Sequence, residues 1–145
     1  MDGEVRMKVL IVDDSEVLVQ RLTARLAEVT GTETVGHAGN VADAVREIRR
    51  AKPNVVILDI CLPGGSGLDV LEGLKKDRLQ PIVIVLSNHS DRQYRRKCLQ
   101  SGAHYFFDKS DEFHKVAEVL RSLTAPARTG GGPRRLESAF FLELG

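Results

Sequence analysis

The sequence contains little of several residue types and patterns that mark specialised classes of protein. It has two cysteines and no tryptophan in 145 residues. Cys61 and Cys98 lack the spacing of a metal site, and two cysteines are too few for a disulfide scaffold, so we expect buried or half-buried thiols. A net charge of +1 gives no global attraction toward nucleic acids or membranes. An ordinary globular domain is therefore the expected class.

Long hydrophobic runs are also missing. No stretch approaches the ~20 apolar residues that span a bilayer, and the first residues lack the basic and apolar regions of a secretory signal. We therefore expect a cytoplasmic protein without membrane insertion. The glycine-rich segment 64–67 lacks the Lys-Ser/Thr pair of a nucleotide-binding loop, which disfavours nucleotide binding. With 42% hydrophobic residues, the chain can bury one core.

Four short apolar runs each end in polar residues. Continuous runs of this kind are typical of strands that are buried on both faces of a parallel sheet. Ligands of such sheets bind outside the carboxyl ends of the strands, so the polar residues are expected to converge at one edge. The runs are 9–12, followed by Asp13 and Asp14; 55–58, followed by Asp59; 82–86, followed by Ser87; and 105–107, followed by Asp108 and Lys109.

Helical patterns separate these runs and give five βα units. Apolar residues at spacings of three and four predict a first helix that ends at Gly31. The segment 32–38 is a weaker strand, and Asn40 is a good N-cap for the second helix. Right-handed crossovers then place helices on both faces of the sheet. We predict a lead at 1–7, one domain at 8–123 and a flexible tail at 124–145.

The converging side chains have the chemistry that phosphoryl transfer to a carboxylate requires. Asp59 can act as a nucleophile and become an aspartyl phosphate. Two or three carboxylates form an oxygen-rich site for Mg²⁺, which bridges protein and phosphoryl oxygens. Lys109 adds positive charge, and the Ser87 hydroxyl can donate to a phosphoryl oxygen. Each residue alone could have a purely structural role as a helix cap, a turn residue or a surface residue, but their combination favours a functional site.

In these residues the chain resembles the receiver domains of two-component response regulators. The resemblance runs from about residue 8 to 123 and implies a flavodoxin-like fold. That fold is α/β, a doubly wound, five-stranded parallel sheet in the order 2-1-3-4-5 with helices on both faces. The matching elements are the pair Asp13 and Asp14, Asp59 with the segment 62–68 that follows it, Ser87, Phe106 and Lys109.

The resemblance implies Mg²⁺ as the cofactor and assigns its ligands. Asp59 would be the phosphoacceptor and also a metal ligand. Asp14 would bind the metal directly, and Asp13 would act mainly through metal-bound water. The backbone carbonyl of Cys61 would complete the protein ligands.

The resemblance also implies how the signal is transmitted. Ser87 and Lys109 would bind the phosphoryl group, and Ser87 with Phe106 would form the switch pair. Phe106 has no hydroxyl group, so we expect a purely steric switch. Ser110 stands where the family often has proline, and we expect it to cap the last helix.

The resemblance implies a signalling switch and not an enzyme. A sensor histidine kinase or phosphotransfer protein would donate the phosphoryl group, a downstream protein would bind the changed surface, and no direct contact with nucleic acid is expected. A phosphorylation-dependent dimer is left open. The alternatives are a non-phosphorylated interaction module, a phosphohydrolase, and the receiver part of a longer DNA-binding transcriptional regulator. The phosphohydrolase is disfavoured because Cys61 stands two residues after Asp59, where a general acid/base would be needed.

The segment 91–101 is the expected exit route of the signal. Its few apolar residues predict the least firmly packed helix of the domain. Arginine-rich helices suit acidic partners, although a merely solvated basic helix is the bland alternative. We expect the partner face to comprise this helix, the strand of Phe106 and the last helix. The residues assigned to it are Arg92, Arg95, Arg96 and Tyr105.

Overall fold

A computed structural model describes residues 6–88 and 92–124. The predicted lead at 1–7 and tail at 124–145 lie almost entirely outside these residues, as does Asp91 of the predicted exit helix. The elements are β1 (Met7–Val12), α1 (Glu16–Leu26), β2 (Thr32–Ala38), α2 (Val41–Ala51), β3 (Val55–Leu58), β4 (Cys61–Leu62), β5 (Gly65–Ser66), α3 (Gly67–Lys76), β6 (Ile82–Ser87), α4 (Arg92–Gln100), β7 (Tyr105–Asp108) and α5 (Phe113–Thr124).

The five longer strands form one parallel sheet in the order β2-β1-β3-β6-β7. The predicted order 2-1-3-4-5 is confirmed once the short antiparallel pair β4 and β5, which was not predicted, is left out of the count. The strands end in register, with Val12 opposite Leu58 and Ser87 opposite Asp108. This register brings the residues that follow β1, β3, β6 and β7 to one edge of the sheet.

Both faces of the sheet are covered, as continuous apolar strands require. Successive strand residues point to opposite faces, so Val9 and Ile11 pack with α1 and α5, whereas Leu10 and Val12 pack with α2, α3 and α4. Burying one Leu, Ile or Phe side chain contributes about 1.5 to 3 kcal/mol. The central strands are therefore a rigid base for the polar residues at their ends.

Two local features test the helix predictions. Asn40 caps α2 as predicted, since its Oδ1 accepts from the backbone N–H of Asp43 at 2.8 Å. The prediction that α1 extends to Gly31 is wrong, because the helix ends at Leu26. The hydroxyl of Thr32 donates to the carbonyl oxygens of Leu26 and Val29, and a side chain thus satisfies carbonyls that a longer helix would use.

In the described part of the chain, no helix combines the length and the apolar character that crossing a membrane demands.

Candidate functional site

Three carboxylates meet at the carboxyl ends of β1 and β3. One carboxylate oxygen of each of Asp13, Asp14 and Asp59 lies within 4.8 Å of the other two. Asp13 and Asp59 are buried, and Asp14 is exposed. Hard oxygen donors in a cluster that is open on one side fit Mg²⁺, because this ion prefers oxygen ligands and keeps several waters. The donor set is therefore chemically suited to the cofactor that the resemblance implies.

The backbone fixes the two buried acids between strands. The N–H of Asp13 donates to the carbonyl of Ala38, and the N–H of Asp59 donates to the carbonyl of Val12, each at 2.9 Å. Their carboxylates accept from nearby backbone groups: Oδ1 of Asp13 from the N–H of Ser15 at 2.9 Å, and Oδ1 of Asp59 from the N–H of Cys61 at 3.2 Å. Both side chains are thus held in place before any ligand binds.

Lys109 comes from the loop after β7 and reaches both buried acids. Its Nζ lies 2.7 Å from Oδ2 of Asp13 and 3.3 Å from Oδ2 of Asp59. Burial lowers the pKa of Lys109, but the hydrogen bonds and charges of Asp13 and Asp59 outweigh burial and raise the pKa overall. The ammonium group therefore keeps its charge at neutral pH and can face an incoming anion.

Asp59 has surroundings that oppose its ionisation. Burial raises the pKa of its carboxyl group most, and the negative charge of Asp13 raises it further. Lys109 and the N–H of Cys61 lower the pKa but do not cancel the effect of burial. Asp59 is therefore a carboxylate whose charge is incompletely compensated, which favours reaction with a cation or an electrophile.

The residues predicted as the switch pair lie on β6, which is beside β3, and on the edge strand β7. Ser87 ends β6 and is fully buried, and its carbonyl accepts from the N–H of Lys109 at 2.9 Å. Phe106 of β7 is also fully buried and lies opposite Val85, on the face that α4 covers. The sheet thus places the Ser87 hydroxyl group at the edge that carries the acids. The aromatic ring of Phe106 lies two residue pairs further from that edge.

Comparison with known proteins decides the family. A family model described as the response regulator receiver domain matches residues 9–121. The chain belongs to the response regulator receiver domain family. The receiver is 37% identical over 119 residues to the transcription regulator BvgA of Bordetella pertussis, and 27% identical over 116 residues to the DNA-binding transcriptional activator EvgA of Escherichia coli K12. These matches cover 81% and 80% of this chain but only 56% of each relative, so the receiver spans about half the length of these relatives.

Solved structures agree with this family. A chain of the CheX–CheY–BeF3–Mg²⁺ complex from Borrelia burgdorferi has a TM-score of 0.76 and 28% identity, and the match covers 86% of the receiver and 94% of that chain. A DNA-binding response regulator of the LuxR family from Staphylococcus aureus has a TM-score of 0.74 and 26% identity, with 82% and 99% covered. The chain is thus similar to receivers from different kinds of response regulator.

The loop after β3 brings backbone close to Asp59. A Cβ atom built at Gly67 would lie 2.6 Å from the carbonyl oxygen of Asp59, so this position tolerates only glycine without a shift. Ser66 caps α3, and Asp69 completes a capping box. This cap was not predicted, although the spacing Ser-x-x-Asp before an apolar run is a signal of it.

The prediction that both cysteine thiols are buried or half-buried is confirmed for Cys98 and wrong for Cys61. Cys98 is buried, and burial raises the pKa of its thiol to about 11. Cys61 is exposed, because the short strand β4 turns its side chain outward. Partial desolvation and the negative charge of Asp59 raise the pKa of the Cys61 thiol. Both thiols are therefore less reactive than an ordinary cysteine.

Ser110 does not cap the last helix. The helix α5 begins at Phe113, and Ser110 lies in the preceding turn. The carboxylate of Asp108 organises that turn, since its Oδ1 accepts from the N–H of Ser110 at 2.8 Å and from the N–H of Asp111 at 3.3 Å. The hydroxyl of Ser110 also donates to this carboxylate, so Ser110 belongs to the turn that Asp108 organises and not to the first turn of α5.

The predicted partner face needs one correction. Arg92 and Arg96 are exposed on α4, and Arg95 is half-buried. Tyr105 is fully buried, and its ring stacks on Phe107 at 5.9 Å between centroids, on the face that α1 and α5 cover. The side chain of Tyr105 is therefore a core residue and not part of an exposed face.

Proposed function

We propose that this receiver domain is the phosphoacceptor of a two-component phosphorelay. Asp59 takes a phosphoryl group from a phosphohistidine on a sensor kinase or phosphotransfer protein. The observation that supports this proposal is the cluster at one sheet edge: three carboxylates within 4.8 Å of one another, with one lysine in contact with the two buried ones.

The proposed transfer exchanges one bond for another. A carboxylate oxygen of Asp59 attacks phosphorus, the P–O bond forms as the P–N bond breaks, and the leaving imidazole takes up a proton. Mg²⁺, held by Asp13, Asp14, Asp59 and the backbone carbonyl of Cys61, would neutralise charge on the phosphoryl oxygens. Lys109 contributes a second positive charge that is already in place, so little reorganisation is needed during transfer.

We further propose that Ser87 and Phe106 transmit the change. The phosphoryl group would attract the Ser87 hydroxyl, and Phe106 would fill the space that this movement leaves. Both residues are fully buried, so a displacement of one changes the packing of its neighbours. The transmitted change would reach α4, which covers the Phe106 side of the sheet.

The partner face of this proposal is the outer surface of α4. Arg92, Arg96 and Lys97 are exposed there and surround a groove of about 360 Å³ together with Gln93 and Gln100. A surface with several cations and few apolar groups suits an acidic protein partner. We expect the domain to work in the cytoplasm, and its catalysis to be limited to its own phosphotransfer and autodephosphorylation.

A second candidate is the receiver part of a longer DNA-binding transcriptional regulator. The names of BvgA and EvgA favour it, because both are transcription regulators of nearly twice the matched length. In that case the changed surface would act on an attached DNA-binding domain instead of a separate partner. The length of the protein in its source cell, measured by immunoblotting with an antibody to the receiver, separates the two candidates.

Phosphoramidate tests the shared proposal, because its P–N bond resembles that of phosphohistidine. We expect the intact mass of the parent protein to increase by one phosphoryl group with Mg²⁺ and to stay unchanged with a chelator. Asp59→Asn should gain nothing, and the matched control Asp111→Asn, at an exposed acid, should behave like the parent. A parent protein that gains no mass would instead favour the non-phosphorylated interaction module.

A further inference from the structure

The inner side of α4 carries a cation where an apolar residue is expected. Cys98 is the one residue of this helix that is fully buried. Residues three positions apart lie on the same side of a helix, so Arg95 precedes Cys98 on the side that faces the sheet. Arg95 is accordingly half-buried, whereas Arg92, Arg96 and Lys97 are exposed.

Arg95 lies over the ring of the proposed switch residue. Its guanidinium carbon is 5.5 Å from the centroid of the Phe106 ring, which is within cation–π distance. The Nε atom of Arg95 is buried and, among residues 6–88 and 92–124, has no hydrogen-bond partner. The contact therefore combines an attraction, the cation over the ring, with a cost, the unsatisfied donor.

These two effects oppose each other, which makes the contact easy to reverse. The unsatisfied donor offsets part of the cation–π attraction, so the net attachment of Arg95 to the ring is weak but favourable. If the ring moves away, the attraction is lost and the buried donor has no compensation. The guanidinium group should then move into water, where every N–H finds a partner.

We infer that Phe106 withholds Arg95 from the surface of α4, and that phosphorylation of Asp59 releases it toward an acidic partner. The inference rests on the proposed function, because it requires Phe106 to move when Asp59 is phosphorylated. Arg95 is a positioning residue in the unphosphorylated state, since it ties α4 to the sheet through the ring. In the phosphorylated state it adds a cation to the exposed basic surface beside Arg92.

The most direct test observes the Nε–H group of Arg95 by NMR in the unmodified protein, with Arg95→Ala to assign the signal. Before phosphorylation, we expect ring-current shielding from Phe106 and slow exchange with water. After treatment with phosphoramidate and Mg²⁺, we expect the shift of a solvated arginine and fast exchange. The intact mass of the same sample reports how much protein is phosphorylated.

Hydrogen exchange of the α4 backbone tests whether the contact of Arg95 with Phe106 holds α4 on the sheet, a contact called the tie below. Arg95→Ala should speed amide exchange in α4 of the unphosphorylated protein by about fivefold, the size of a moderate cation–π contact. The control Arg96→Ala removes the same charge from an exposed neighbour and should leave exchange unchanged. In a Phe106→Leu background, Arg95→Ala should have little further effect, because the ring is already absent.

Three outcomes overturn the inference in different ways. A protein that is fully phosphorylated but keeps the same Arg95 Nε–H signal overturns the release while leaving the proposed function intact. Equal exchange rates in Arg95→Ala and Arg96→Ala overturn the tie. A parent protein that takes up no phosphoryl group overturns the proposed function, and the inference with it.

Discussion

At the scale of single residues, Asp59 is a side chain whose surroundings oppose its charge. It is 5% exposed and close to Asp13, and burial is the main reason that its pKa is raised. Because the folded state holds the Asp59 proton more tightly than the unfolded chain does, this carboxyl stabilises the fold at low pH. That stabilisation is lost as the pH rises through the raised pKa of Asp59.

Replacing Asp59 with an uncharged residue of the same shape should therefore stabilise the metal-free protein. We expect Asp59→Asn to increase the free energy of unfolding by about 0.5 to 2 kcal/mol at pH 7, a common gain when a strained functional residue is replaced. The gain should shrink as the pH falls through the raised pKa of Asp59. Urea unfolding in a chelator measures it, with Asp111→Asn as the exposed control. A less stable Asp59→Asn protein at pH 7 would contradict the assigned charge conflict.

Asp14 differs from the buried acids because its carboxylate is exposed and faces the open side of the cluster. We expect Asp14→Ala to lose Mg²⁺ affinity by at least about tenfold, since even residues that only support metal ligands cost that much. Phosphorylation should be lost with it. Asp13→Ala should reduce direct binding less. Titration calorimetry measures both affinities, and an unchanged affinity in Asp14→Ala would remove this residue from the metal site.

Ser87 tests the relay between the phosphoacceptor and the aromatic ring. We expect Ser87→Ala to accept a phosphoryl group but to lose the NMR shift changes around Phe106 that phosphorylation causes in the parent. The reason is that alanine cannot donate a hydrogen bond to a phosphoryl oxygen. If both proteins show the same shift changes, the hydroxyl group is not the relay.

At the scale of elements, the five strands of the main sheet were predictable from the sequence, whereas the end of α1 and the short strands β4 and β5 were not. Unbroken apolar runs identify buried strands because both faces of the sheet must be covered. At the end of α1, the carbonyl of Leu26 accepts from the hydroxyl of Thr32, which lies six residues past the last helical residue. The pair β4 and β5 has two residues in each strand, too few for any periodic signal.

The partner face shows a second limit of prediction from the sequence: the sheet face to which a single side chain points was not predicted. Tyr105 and Phe106 are both aromatic neighbours in β7, but they point to opposite faces of the sheet because side chains alternate along a strand. The placement of the acids, Ser87 and Lys109 did not depend on such a choice, since these residues end a strand or follow it closely. The contact between Arg95 and Phe106 joins two elements and has no signature in the sequence.

The two glycines of α3, Gly67 and Gly73, offer a matched pair of substitutions. We expect Gly67→Ala to cost about 1 to 3 kcal/mol, the usual effect of overpacking, because its Cβ would lie 2.6 Å from the Asp59 carbonyl and 2.9 Å from Ile60 Cδ1. Gly73→Ala in the same helix should gain about 0.5 to 1 kcal/mol, since its Cβ would meet Val45 only at 3.4 Å. Urea unfolding compares the two. Equal stability changes would show that the loop is not tightly packed against Asp59.

At the scale of the whole molecule, the helices on the two faces of the sheet differ in how many buried residues they contribute. One face has α1 and α5, which contribute four buried residues each. The other has α2, α3 and α4, and of these α4 contributes only Cys98. A change that starts at the sheet edge should move the helix with the fewest apolar contacts, because local opening costs the least there. This asymmetry is the physical reason to expect the signal to leave the receiver through α4.

The central claim is that Asp59 alone receives the phosphoryl group, and peptide mapping tests it most directly. The parent protein is treated with phosphoramidate and Mg²⁺ and digested under conditions that preserve acyl phosphates, and the modified residue is located by mass spectrometry. We predict a single acyl phosphate, on Asp59. A phosphoryl group on Asp13, Asp14 or any other residue, with Asp59 unmodified, would contradict the account.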